Sequence, residues 1–157
     1  MKFNCFSYDS VKSTNNSAMY LIRNKNYYNG FIFAKSQTKG RGRYGRRWIS
    51  KKGNFFSTIF FKMKKNYPSV EQFTIINPLL NIDVIKKFCG KNKINYKPPN
   101  DIYVNNKKIC GILQEVITKE KNKYLIVGIG INLVTNPKKK KYLSTNLYKE
   151  TNIKPDL

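Results

Sequence analysis

The sequence predicts an α+β domain, and three observations carry that reading. Apolar runs of strand length, such as Phe55–Phe61 and Leu125–Leu133, are bounded by turn-forming residues. Two longer stretches, beginning near Ser13 and Val70, place their apolar residues at helical spacing instead. Asn105-Asn106 between two strand-like runs marks a tight hairpin, so those neighbours in sequence should pair antiparallel. The 157 residues show no repeat and no composition break, and that length supports one domain with a real core.

Taken in order, Lys2–Tyr8 alternates apolar and polar residues and reads as a strand. Asp9-Ser10-Val11-Lys12 is a turn. Ser13-Thr14-Asn15 supplies helix N-cap residue types, and Ala18, Leu21 and Ile22 follow at helical spacing until Asn24–Gly30 breaks the helix. Phe31–Lys35 is a buried strand that leads into a Gly/Arg loop, and Phe55–Phe61 is the strand that leaves it. Val70–Phe88 is a helix whose apolar face predicts core packing, with Pro78 expected to kink or split it and Gly90 to cap its end. Ile94–Tyr96 is a short strand, and Lys97–Asp101 is rigid and non-helical. Ile102–Val104 and Lys108–Ile117 form the hairpin arms, Lys119–Lys123 is a second turn, and Leu125–Leu133 is a central strand interrupted by glycines. Pro137–Lys141 is a basic loop, and Thr145–Leu157 holds too little apolar material to predict another element.

Composition narrows the chemistry. A hydrophobic fraction of 40% describes a globular chain rather than a disordered one. There is no histidine, which excludes Ser-His-Asp and Cys-His nucleophile systems and imidazole metal sites. Cys5, Cys89 and Cys110 are scattered and odd in number, so they read as small core residues of a reducing compartment. No signal-peptide core and no run of membrane-spanning length is present; the expectation is a cytoplasmic chain with no membrane partner. Lys and Arg number 31 against 8 Asp and Glu, a formal +23, which favours polyanionic ligands. Most lysines outside motifs read as solvated surface in a chain rich in Lys, Asn, Ile, Tyr and Phe.

The loop Ser36–Ser50 organises the rest. Three glycines alternate with four arginines from Gly40 to Arg47, and Trp48 closes the run. Glycine lets backbone approach a ligand, and arginine offers planar N–H forks suited to phosphate and carboxylate. On these residues alone, a mobile lid over an anionic ligand and an RGG-like nucleic-acid loop are both open.

Four stretches decide between them: Ser13-Thr14-Asn15, the Gly40–Trp48 loop, Lys97–Asp101 followed by Lys107-Lys108-Ile109-Cys110-Gly111-Ile112-Leu113, and Gly128-Ile129-Gly130-Ile131-Asn132. Their order and separation resemble the catalytic domain of the biotin–protein ligases, over nearly the whole chain. The resemblance implies a mixed, largely antiparallel sheet flanked by helices, class II synthetase-like. It also implies ATP-dependent formation of biotinyl-5'-AMP with Mg²⁺, then transfer of biotin to a lysine of a biotin carboxyl carrier protein of a carboxylase. Ser13, Thr14 and Asn15 would hold the polar ring of biotin, Gln37 would lie along it, and Gly111 would allow its close approach. Arg41, Gly42 and Arg43 would contact the carboxylate and α-phosphate, and Lys108 would sit beside the reacting groups. Trp48, Asn100 and Asn132 would serve the nucleotide, and Asp101 would bind metal or receive the carrier lysine. Arg43, Lys108 and Asp101 are thus the expected catalytic residues.

Three departures from the family pattern accompany the match. Pro98 stands where the family usually has tryptophan. The expectation is a single catalytic domain, residues 1–157, with no N-terminal DNA-binding domain and hence no specific DNA partner. It ends at Pro155-Asp156-Leu157 without the family's later helices or C-terminal β-barrel, as a fragment or a reduced enzyme would. A lipoate–protein ligase is the near alternative and a basic nucleic-acid-binding module the distant one. The absence of histidine argues against the first, and the Pro-Asn-Asp and Lys-x-x-Gly-Ile-Leu runs have no role in the second.

Overall fold

Strands Cys5–Tyr8 (β1), Asn29–Ala34 (β2), Phe55–Lys62 (β3), Ile94–Lys97 (β4), Asp101–Val104 (β5), Lys107–Lys119 (β6) and Asn122–Ile131 (β7) form one sheet in the computed structural model. The structure describes residues 3–138, 142–153 and 155. The sheet order is β1-β2-β3-β7-β6-β5-β4. β1 pairs with β2 in parallel, and every other pair is antiparallel. Helices Thr14–Lys25 (α1), Val70–Cys89 (α2) and Leu147–Thr151 (α3) complete the fold. The sheet is therefore mixed and largely antiparallel, as expected. The turns behave as their residues dictate: Asn105 and Asn106, and then Glu120 and Lys121, all take positive φ.

The central strand assigns the two faces. Tyr124 and Ile126 pack with Ala18, Leu21 and Ile22 of α1 and with Ile32 and Phe60. Leu125 and Val127 pack with Ile82, Ile85 and Cys89 of α2, with Ile102, Ile109 and Ile112, and with Leu147 of α3. Successive strand residues point to opposite faces, so α1 covers one face and α2 with α3 covers the other. Continued along β7, the alternation places Gly128 and Gly130 on the α1 face.

Several expectations need correction. α2 runs unbroken from Val70 to Cys89 with Pro78 inside it, so the proline does not split it. Its N-terminus carries a full capping box, Ser69 with Gln72, which supports the turns before the proline. The core-packing expectation for α2 holds for one side only, since Ile75, Leu79, Leu80, Val84 and Phe88 are each at least half exposed. Cys89 and Cys110 are buried as expected, but Cys5 is exposed. The stretch from Thr145 does form an element, α3, whose N-cap Asn146 accepts from Lys149 N–H at 2.9 Å. A network that sequence does not display holds α3 in place. Glu150 accepts from Thr145 Oγ1 at 2.5 Å and Asn105 Nδ2 at 2.7 Å, and pairs with Lys107 at 3.3 Å. Asn54 has a comparable role, its Oδ1 accepting from the N–H groups of Leu133, Val134 and Thr135 at 2.9–3.0 Å. Part of the predicted basic loop, 139–141, lies outside the described residues. No described helix is long and apolar enough to cross a membrane.

Candidate active site

The Gly/Arg loop folds as a narrow arch on the α1 face. Gln37 bridges to Val11 on one side and to Ser50 on the other, and Arg41 bridges antiparallel to Arg47. Trp48 N–H donates to Gly40 O at 2.9 Å and Gly42 N–H to Arg46 O at 2.7 Å, leaving Arg43–Gly45 as the tip. The foot of the arch also caps α1. Ser13 occupies the N-cap position and is buried, but its side chain caps nothing. Instead Gln37 Oε1 accepts from Thr14 N–H at 2.8 Å and from Thr14 Oγ1 at 3.2 Å, while Gln37 Nε2 donates to Ser50 Oγ at 2.9 Å. An orphan donor of the helix start is thereby satisfied from the loop.

Trp48 lies on a platform made by Gly111 and Gly130, which are paired across β6 and β7. A Cβ at either glycine would come within 2.6 Å of the indole. What approaches Gly111 in this structure is thus Trp48. The indole N–H is buried with no acceptor among the described residues. Asn15 occupies the matching place over Gly128, where a Cβ would come within 2.2 Å of its Oδ1.

Lys108 reaches the same face through a register slip. Tyr103 pairs with Lys108, yet Ile102 pairs with Cys110, so Ile109 and Cys110 together oppose one residue. Without this bulge, strict alternation from Gly111 would turn Lys108 toward α2. With it, Lys108 Nζ sits 2.6 Å from Asp101 Oδ2 and over the Trp48 and Tyr142 rings, 5.3 and 5.4 Å from their centres. Its side chain is 13% exposed, so it is no surface lysine. Cys110, on the opposite face, is enclosed, and burial pushes its thiol up to about 12, which keeps it neutral.

A cleft of about 810 Å³ opens between the arch tip and the β4–β5 hairpin. Arg43, Arg46, Arg47, Lys97 and Lys108 line it, with Asp101 as the one acid. Pro98, at the family's usual tryptophan position, lines it as well. A second hollow of about 550 Å³ lies on the other side of the arch, against Leu113 and Glu115. Both hollows present cations at close spacing, the electrostatics of a site for condensed anions. Asp101 has Oδ2 held by Lys108, and no cluster of three His, Cys, Asp or Glu side chains occurs among the described residues.

The remaining expected residues divide. Asn100 fastens the hairpin to β6, donating from Nδ2 to Ile112 O at 3.0 Å, and also lines the cleft. Asn132 is buried and donates to Thr145 O at 3.0 Å, while its Oδ1 has no partner among the described residues. Arg41 turns its guanidinium onto Glu115. Glu115 and Tyr142 line these hollows and were not singled out by the sequence reading. The available signal for Glu115 was an acid inside a strand of a chain with only 8 acids.

Comparison with known proteins identifies the family and the fold. The family model described as biotin/lipoate A/B protein ligase matches residues 7–132. The chain belongs to that family. It is 32% identical over 132 residues to the bifunctional ligase/repressor BirA of Bacillus subtilis, covering 83% of this chain and 40% of that protein. It is 32% identical over 109 residues to the biotin–[acetyl-CoA-carboxylase] ligase of Paracoccus denitrificans, covering 68% and 45%. Among solved structures, the biotin protein ligase of Aquifex aeolicus in complex with biotin and ATP superposes with a TM-score of 0.78 at 31% identity, over 98% of this chain and 63% of that one. The lipoate-bound LipL1 of P. falciparum shares the fold at 16% identity, with a TM-score of 0.64 over 97% of this chain and 55% of that one. This family member therefore spans less than half the length of those two curated relatives.

Proposed function

We propose that the chain catalyses ATP-dependent biotinylation, joining biotin to the α-phosphate of ATP and then passing it to a carrier lysine. The observation that carries this reading is the Lys108–Asp101 pair, 2.6 Å apart, at the end of a cleft whose other charged residues are cations and which the Gly/Arg arch borders.

Attack of a carboxylate on a phosphate sets one anion against another, so the barrier is dominated by charge. Arg43 and Lys108 offset the charge that builds on the α-phosphate as pyrophosphate leaves. Asp101 holds the Lys108 ammonium in place, and Trp48 and Tyr142 confine it. Magnesium, on this reading, enters with the phosphates of the nucleotide. Ser13, Thr14, Asn15 and Gln37 form the polar end that receives the biotin ring, with Gly42 and the arch above it, while Asn100, Trp48 and Asn132 border the nucleotide. In the second step the carrier lysine attacks the acyl carbon and AMP leaves. Asp101 takes the proton that the carrier lysine gives up so that its neutral amine can attack, and the carrier is a biotin carboxyl carrier domain of acetyl-CoA carboxylase or a related carboxylase. The work takes place in the cytoplasm.

The test is biotin-dependent exchange of pyrophosphate into ATP, followed by transfer to a carrier domain, with lipoate as control. Exchange with biotin is the expected result. Exchange with lipoate alone would move the chain to the lipoate branch. Absence of exchange, together with salt-sensitive binding to single-stranded nucleic acid, would overturn the ligase reading.

A further inference from the structure

We infer that Glu115 is a positioning residue, a latch that ties the arch to the start of α1 and sets how tightly biotin is held. The inference rests on the proposed function, since it assigns Glu115 a part in the same site. One carboxylate oxygen serves two elements: Glu115 Oε2 accepts from Asn15 Nδ2 at 2.8 Å and pairs with the Arg41 guanidinium.

The Asn15 end is a fixed post. Its Oδ1 accepts from Thr58 Oγ1 at 2.6 Å, its Nδ2 also donates to Leu113 O at 3.1 Å, and Gly128 lies directly beneath it. Every amide hydrogen of Asn15 is thereby committed, so Asn15 cannot follow a moving partner. The Arg41 end is the movable one. Arg41 stands at the base of the arch, opposite Arg47 in its short ladder. Of the four arginines between Gly40 and Trp48, Arg41 is the one with a carboxylate partner among the described residues. Like charges at this spacing repel and favour opening, and Glu115 offsets one of them before any anion arrives. At 23% side-chain exposure the Glu115 carboxylate is partly shielded from water, which strengthens its hold. The latch acts on the ring end of the site and leaves the Lys108–Asp101 pair untouched, so it should govern retention of biotin rather than the phosphoryl chemistry.

The experiment compares wild type, Glu115→Gln, Glu115→Ala, Arg41→Gln and the double variant Glu115→Gln/Arg41→Gln. Thermal unfolding confirms that each variant folds. Hydrogen exchange in the free protein comes first. Glu115→Gln keeps an acceptor for Asn15 but loses the ion pair, so exchange over 38–47 should quicken while the first turn of α1 stays protected. Glu115→Ala should expose both segments. Biotin dissociation should then quicken roughly tenfold in Glu115→Gln, as expected for one charge-assisted contact. Exchange of pyrophosphate at saturating biotin should stay within about twofold, because the effect lies in retention. The double variant should be no worse than either single one. Unchanged exchange over 38–47 together with unchanged biotin dissociation in Glu115→Ala would overturn the latch, and so would strict additivity in the double variant. If wild type binds no biotin, the proposed function fails, while hydrogen exchange still decides whether the latch exists.

Discussion

Lys108 shows how much a residue's surroundings change its meaning. In sequence it is a lysine at the start of a hairpin strand; in the fold it is enclosed by Asp101, Trp48 and Tyr142. Lys108→Ala should slow formation of the adenylate in single turnover by on the order of 10²–10³, the usual cost of removing one contact to developing charge. Lys108→Arg should not restore the rate, because a planar fork cannot replace a compact ammonium in a tight site. The alanine variant should also lose about 1–3 kcal/mol in denaturant unfolding, since it strips the partner from a mostly buried carboxylate. A wild-type rate in the alanine variant would remove Lys108 from the mechanism. The glycine platform gives a second residue-scale test. Gly130→Ala would drive a methyl to within 2.6 Å of the Trp48 ring and force the indole off its seat. Trp48 is the only tryptophan, so its emission reads the site alone. The variant should shift that emission toward the solvent-exposed value and cost about 1–3 kcal/mol.

At the scale of the element, α3 illustrates stability that depends on one carboxylate. Burial opposes the charge of Glu150, but hydrogen bonds from Thr145, Asn105 and Lys107 outweigh it and hold the carboxyl below its ordinary value of 4.5. A group held low in the folded state contributes fully above its unfolded value and loses that contribution as pH falls through the lowered one. Glu150 should therefore hold the melting temperature steady down to about pH 4.5 and let it decline as pH falls below that. Glu150→Gln should flatten that decline and lower the melting temperature at neutral pH. An acid limb of unchanged steepness in the variant would show that Glu150 does not carry it.

For the whole molecule, charge and apolar surface are distributed unevenly. Cations crowd the arch and cleft, whereas α2 presents Ile75, Leu79, Leu80, Val84 and Phe88 outward. Those side chains gain little burial in this fold. Leu80→Gln and Val84→Gln should each cost less than about 0.5 kcal/mol, whereas Ile85→Ala, at a position only 3% exposed, should cost about 2–5 kcal/mol. The paired glutamine variant should also show less concentration-dependent association in sedimentation, because it breaks a contiguous apolar patch. A large loss of stability from Leu80→Gln would contradict the exposed placement of this stripe.

The sequence by itself determined the α+β class, the hairpin and its asparagine turn, the two long helices and the composition of the arch. Each of these follows from local rules: side-chain period, turn chemistry and the spacing of a motif. Tertiary structure decided the rest. The bulge at Ile109–Cys110 that turns Lys108 onto the site face leaves no periodic trace, because a single extra residue looks like ordinary strand. Seating Trp48 on Gly111 and Gly130 required knowing that those glycines pair across two strands. Glu115 joins Asn15 and Arg41 over sequence separations of 100 and 74 residues, and α3 stands because Glu150 finds Asn105, 45 residues away. Hydrogen bonds and ion pairs of that range depend on the packed sheet that brings their ends together, so no local pattern encodes them.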